Sequence, residues 1–213
     1  MSLPIKKSDT LYTYADYLTW NDDERWELID GVPYLMAPAA SPSHQGIGGE
    51  LYLQIGSFLK GSNCKVYYAP FDVRLFPEDG DSDNTVVQPD IVVICDVSKI
   101  DKHGLSGVPD MVIEILSPSN TNNDRITKFQ LYHRAGVREY WIVDPMDRNL
   151  TTFILKDDEY ITKVYGSEDS VPVHILDGLI ISLSEVFEEV FLEEAPSIEG
   201  SNGDTEDEEK AGA

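Results

Sequence analysis

Three side chains of the 213-residue chain have the types and surroundings to do chemistry: Asp90, Glu114 and Lys128. Asp90 opens the apolar segment DIVVIC (90–95), and Glu114 sits in the middle of MVIEIL (111–116). Burying an unpaired carboxylate costs several kcal/mol, so Glu114 must meet a cation, take up a proton or reach a sheet edge. Strand parity puts Val112, Glu114 and Leu116 on one face, and Asp90, Val92 and Ile94 on one face of their own segment. If the two segments are neighbours, the carboxylates converge into an oxygen-rich site suited to Mg²⁺, with Mn²⁺ as the alternative ion. Asp110 shares the parity of Glu114, but four residues of extended chain span about 13 Å, too far for one ion. Asp90 is therefore the better partner. Lys128, on the helix that follows Glu114, would orient a nucleophilic water or stabilise charge on a transferring phosphate. Plainer roles remain open: Asp124 precedes Lys128 by four residues, as in an ordinary ion pair on a helix face, and Pro89-Asp90 is a common turn dipeptide. His44 and Glu27 are auxiliary candidates, each an isolated polar group near an apolar segment. Tyr140 and Trp141 read as strand core.

These residues need a scaffold, and the pattern outlines one. TYADYLTWNDD suggests a short helix, and Asp30-Gly31 between RWELI and VPYLM is the signal of a tight hairpin. Ser41-Pro42 reads as an N-cap with proline in the first turn, followed by Ile47, Leu51, Ile55, Phe58 and Leu59 at helical spacing up to Gly61. Strands are expected at 66–76, 90–95 and 111–116, the last two apolar on both faces as in a sheet covered on both sides. NNDRITKFQLYHRAGV predicts a helix stopped by Gly136, and EYWIVD (139–144) a further strand. TTFILK, YITKVY and LIISL read as later strands, SEVFEEVF as a last helix, and 77–88 as a loop. In order, 41–144 is helix, three strands, helix, strand.

The segments RWELIDG (25–31), APAASPSH (37–44), QPDIVVI (88–94), GVPDMVIEILSPS (107–119), the spaced Asp124 and Lys128, and YHRAGVREYWIVDP (132–145) resemble the PD-(D/E)XK nuclease superfamily, and within it the Uma-type restriction endonuclease family. The likeness spans roughly residues 10–190. It implies an α/β restriction endonuclease-like core (αβββαβ, a mixed central sheet flanked by helices) with an extra N-terminal hairpin and C-terminal strands. It also implies Asp90 and Glu114 as metal ligands and hydrolysis of phosphodiester bonds in nucleic acid, DNA being the expected substrate. The superfamily lysine usually lies two residues after the second acid. Here Leu116 is at that position, and the resemblance transfers the role to Lys128 on the following helix.

Composition narrows the alternatives. Hydrophobic residues make up 41% and charged residues 26%, as in an ordinary globular domain. A single domain is expected over 1–193, with an acidic disordered tail over 194–213. The formal charge is −23. From residue 193 on there are eight acids against Lys210, which leaves the first 192 residues with 31 acids and 15 bases. That field opposes binding to duplex DNA. It keeps open a second class, a non-catalytic binding or scaffold protein with the nuclease fold, and a weaker third, a hydrolase of small phosphate esters. Without an apolar leader or a spanning run, the expected location is cytoplasmic and no membrane is implied. Cys64 and Cys95, 31 residues apart, accordingly read as reduced structural thiols. Nucleases that cut both strands often pair, which suggests a homodimer by analogy.

Overall fold

The computed structural model describes residues 10–21, 24–36, 40–117 and 123–188, the side chains of 123–125 excepted. The expected acidic tail lies outside the described residues.

The chain opens with a one-turn helix, α1 (Tyr14–Tyr17), capped by Thr13, and continues into the hairpin β1 (Trp26–Ile29) and β2 (Val32–Leu35). Asp30 and Gly31 both take positive φ, 49° and 78°, as a two-residue hairpin turn demands. The long helix α2 (Pro42–Phe58) begins where expected, with the Ser41 hydroxyl accepting the His44 amide. Next come β3 (Lys65–Tyr68), β4 (Asp72–Arg74), β5 (Val86–Val87), β6 (Ile91–Ile94), β7 (Ile100–Asp101), β8 (Gly104–Ser106) and β9 (Met111–Ile115). A π-helical turn, Asn123–Lys128, leads into α3 (Phe129–Ala135), which Gly136 ends in the left-handed conformation. β10 (Glu139–Asp144), β11 (Asn149–Lys156), β12 (Glu159–Gly166), β13 (Ser170–Pro172), β14 (Ile180–Ser182) and α4 (Leu183–Val186) follow.

Two six-stranded sheets result, in the orders β12-β11-β10-β9-β6-β3 and β2-β1-β5-β4-β8-β7. In the first, β9 and β10 run parallel with α3 as their crossover, and β9–β6 and β6–β3 are antiparallel. The helix, three strands, helix, strand order is therefore α2, β3, β6, β9, α3, β10. Two departures from the sequence reading matter. Residues 66–76 do not form one strand: β3 and β4 flank the cis Ala69–Pro70 bond and join different sheets, because proline removes a donor and interrupts the ladder there. The 77–88 segment, read as loop, contributes β5 to the second sheet.

The first sheet is covered on both sides, as its doubly apolar strands required. On one face α2 packs Ile47, Leu51 and Ile55 onto Ile91, Val93, Ile113 and Trp141, joined by Val186 and Phe187 from the end of the described chain. On the other face Val92, Val112, Tyr140 and Ile142 meet Leu131 and Tyr132 of α3 and Val73, Leu75 and Val87 of the second sheet. Each fully buried Leu or Ile contributes about 1.5–3 kcal/mol, which fixes α2 and α3 against opposite faces of the same strands.

The cysteines correct the sequence reading. They are not reduced: Cys64 and Cys95 form a disulfide. The register Lys65↔Ile94 makes them the next facing pair beyond the β3–β6 ladder, a proximity that a 31-residue separation does not announce.

Candidate active site

The chain crosses from the second sheet to the first in three residues, Gln88-Pro89-Asp90, between β5 and β6. The crossing is tied down on both sides. The Gln88 amide donates to Glu27 Oε1 of β1 at 2.9 Å, and the Asp90 carbonyl accepts the Ala69 amide at 2.9 Å. The β6–β9 ladder ends at Ile91↔Ile113, so the next facing positions are Asp90 and Glu114. There Asp90 Oδ2 accepts the Ile115 amide at 2.8 Å, where a further backbone rung would stand, and lies 3.3 Å from His44 Nε2.

On the other side of this rung, Glu114 is 4% exposed. It meets the cation its burial demanded: Lys128 Nζ lies 3.0 Å from Glu114 Oε1 and 3.1 Å from Glu27 Oε1. Tyr132, one helical turn after Lys128, donates its hydroxyl to Glu114 Oε1 at 2.6 Å. Burial first, then the Glu114 and Glu27 carboxylates, hold the Tyr132 phenol well above its ordinary range, so it remains a donor. The π-helical turn ending at Lys128 delivers the ammonium to the seam between the sheets, and α3 then carries Tyr132 to the same carboxylate.

Of the five predicted site residues, the fold thus brings Glu27, Glu114 and Lys128 into direct contact and pairs Asp90 with His44. The two groups are linked through the Ile115 amide. Asp110, the competitor, is elsewhere engaged: it accepts the Cys95 amide at 2.5 Å and pairs with Arg138. The side chain of Asp124 lies outside the described residues.

The sequence reading missed three contributors. Gln88 holds Glu27 through its amide, while its side chain accepts from Arg25 at 2.8 Å and donates to Asp72 at 2.9 Å. Nothing in the pattern pointed to it. Tyr132 stands four residues after Lys128, a spacing that put both on one helix face and was available to read. Tyr68 approaches from β3, its buried hydroxyl bonding to no described residue. Burial and the neighbouring Asp90 carboxylate both raise that phenol. Tyr68 fits there because α2 has Gly48 opposite: an added Cβ would lie 2.5 Å from the Tyr68 hydroxyl.

The donor set suits a divalent cation. Two carboxylates, Glu27 and Glu114, face the Lys128 ammonium, a third, Asp90, pairs with His44, and the Tyr68 hydroxyl, bonded to no described residue, lies within reach of the Asp90 charge. Among the described residues, no three His, Cys, Asp or Glu side chains cluster closely enough to hold an ion by themselves. Mg²⁺ ordinarily takes one or two protein carboxylates and keeps its waters, which matches two acids at facing positions.

A family model described as "Uma2: Putative restriction endonuclease" matches residues 14–184. The chain belongs to the Uma2 family. It is 24% identical over 176 residues to "Uncharacterized protein slr1290" of Synechocystis sp., covering 81% of this chain and 89% of that one. Its fold is similar to a crystal structure from Anabaena variabilis described as "a putative nuclease belonging to DUF820". That match has a TM-score of 0.64 at 21% identity, over 84% of this chain and 99% of the other. The Uma2 chain accordingly has a restriction endonuclease-like α/β fold. No helix among its described residues is long and apolar enough to cross a membrane.

Proposed function

We propose that this Uma2 protein is a divalent-metal-dependent nuclease that hydrolyses phosphodiester bonds in DNA. The observation that carries the reading is the facing of Asp90 and Glu114 on adjacent antiparallel strands, with the Lys128 ammonium 3.0 Å from Glu114. Family membership and the fold support it.

Asp90 and Glu114 would hold Mg²⁺ or Mn²⁺, which when bound supplies Lewis acidity and neutralises charge at a phosphate. Lys128, held between two carboxylates and nearly buried, offers a fixed positive charge to an anionic transition state and a donor that orients an attacking water. Glu27 keeps that ammonium in place, and Gln88 keeps Glu27. Tyr132 holds Glu114. His44 fixes the Asp90 carboxylate from α2. Asp90 and His44 keep 19% and 12% of their side-chain surface, against 5% for Glu114 and Lys128, so a substrate approaches from the Asp90 side.

The test is cleavage of DNA with Mg²⁺ or Mn²⁺ by the parent, Asp90→Ala, Glu114→Gln and Lys128→Ala. Each substitution is expected to lower the rate by about a hundredfold or more, as loss of one charge-stabilising group does elsewhere. Equal rates in all four proteins would end the proposal.

A second reading, a binding protein that keeps the fold without catalysis, is favoured by the arginines. Arg25, Arg74, Arg134, Arg138 and Arg148 all donate to partners within the chain. Metal-dependent cleavage by the parent excludes it.

A further inference from the structure

We propose that the substrate is unpaired, single-stranded nucleic acid, held beside the scissile phosphate by stacking of a base on Tyr52. This rests on the nuclease reading and adds the substrate class to it.

Tyr52 stands on α2. His44, Gly48 and Tyr52 follow one another at four-residue spacing and share a helix face. His44 touches Asp90, Gly48 receives the Tyr68 ring, and Tyr52 stands edge-on to Tyr68 with centroids 6.3 Å apart at 81°. The row thus runs from the proposed metal ligand to an aromatic ring. Tyr52 is 40% exposed, whereas Tyr68 behind it is half-buried. The eight residues from His44 to Tyr52 span about 12 Å, the rise of three or four stacked nucleotides. An added Cβ on Gly49 would meet nothing within 4 Å, so a strand can approach the helix backbone beside Tyr52.

Charge favours the less densely charged form of the substrate, since a single strand carries one phosphate per about 3.4 Å and a duplex one per about 1.7 Å. α2 carries one formally charged residue, Glu50, in seventeen, within a chain of net charge −23. Each of the five arginines with a described side chain already has a partner within the chain, Arg134 and Arg138 at the surface. Duplex binding draws on clustered cations along the phosphates, and α2 itself carries no Lys or Arg. Aromatic stacking is neutral and open to any base, and it requires that base to be out of the helix. The exposed Tyr52 ring, two turns along α2 from His44 and edge-on to Tyr68, supplies that kind of contact.

The experiment measures fluorescence anisotropy of a labelled single-stranded oligonucleotide and of its duplex, with Ca²⁺ in place of Mg²⁺ to hold back cleavage. Parent, Tyr52→Ala and Tyr52→Trp are compared, and cleavage of both substrates is followed in parallel with Mg²⁺. Single strands are expected to bind the parent at least tenfold more tightly than duplex. Tyr52→Ala is expected to weaken them by about five- to a hundredfold and Tyr52→Trp to restore them. Quenching of the added indole by the bound strand would report the stack directly. Equal affinity for both forms, or unchanged binding in Tyr52→Ala with an unchanged melting temperature, overturns the inference. If duplex is then still cut in an Asp90-dependent way, the nuclease reading stands without it. If neither form is bound or cut, both fall.

Discussion

Replacing Lys128 with methionine keeps the length and apolar stem of the side chain and removes only its charge and donors. Lys128 Nζ lies 3.1 Å from Glu27 Oε1 and 3.0 Å from Glu114 Oε1, with all three side chains 5% exposed. The two carboxylate oxygens are therefore at most about 6 Å apart, a repulsion of about 3 kcal/mol at an effective dielectric constant near 20. Removing one partner of a buried ion pair typically costs about 3–5 kcal/mol, and the repulsion falls at the low end of that range. For a chain of this size that is a drop in melting temperature of roughly 6–20 °C. Thermal unfolding by circular dichroism reads it. Two controls tie the loss to charge. Adding Glu27→Gln to Lys128→Met should recover part of the stability, and millimolar Mg²⁺ should raise the melting temperature of Lys128→Met more than that of the parent. A Lys128→Met protein that melts with the parent and ignores Mg²⁺ would refute the arrangement of charges on which the active-site argument rests.

Asp72 tests the acid side of the pH profile. Burial raises its carboxyl above the ordinary value of 3.8, offset in part by donation from Gln88 and Tyr17. A raised folded pKa contributes stability that is complete below the unfolded value and lost as pH rises through the folded one. Urea titrations of Asp72→Asn, which keeps the acceptor for Gln88, should show a shallower decline above pH 3.8 than the parent. At Gly48 an added methyl would meet the Tyr68 hydroxyl at 2.5 Å. Gly48→Ala should displace that ring, destabilise the fold by about 1–3 kcal/mol and slow cleavage, and a parent-like melt and rate would argue against the close packing. Across a sequence separation of 31, loss of the Cys64–Cys95 link should cost about 3–4 kcal/mol on chain-entropy grounds. Melts of the Cys64→Ser/Cys95→Ser protein measure it, and two titratable thiols in the unreduced parent would contradict the link.

Much of the architecture was legible because local signals agree with it. Ser41-Pro42 starts α2, Asp30-Gly31 turns the hairpin, and Gly136 stops α3, each through backbone chemistry confined to a few residues. The doubly apolar β6 and β9 announced a covered sheet. The errors fell where partners are remote in the chain. Val86 and Val87 look like loop, yet pair with Leu28, Val73 and Arg74 to build the second sheet. The cysteines suggested thiols, yet strand register brings them together.

The amino-acid sequence by itself determined which groups needed partners. A carboxylate inside MVIEIL had to meet a cation, take up a proton or reach a sheet edge, and an acid at the head of another apolar segment was its expected companion, because desolvation penalties depend on residue type and immediate surroundings. Only the tertiary structure decided who those partners are. Glu27 and Lys128 lie about a hundred residues apart in sequence and 3.1 Å apart in space. Gln88, whose type gave no hint, braces Glu27 through its backbone amide. Tyr68 enters the site because Gly48, on the helix before its strand, leaves room for its ring. Such pairings follow from strand register and sheet crossing, which sum weak contacts over the whole chain and leave no local mark in it.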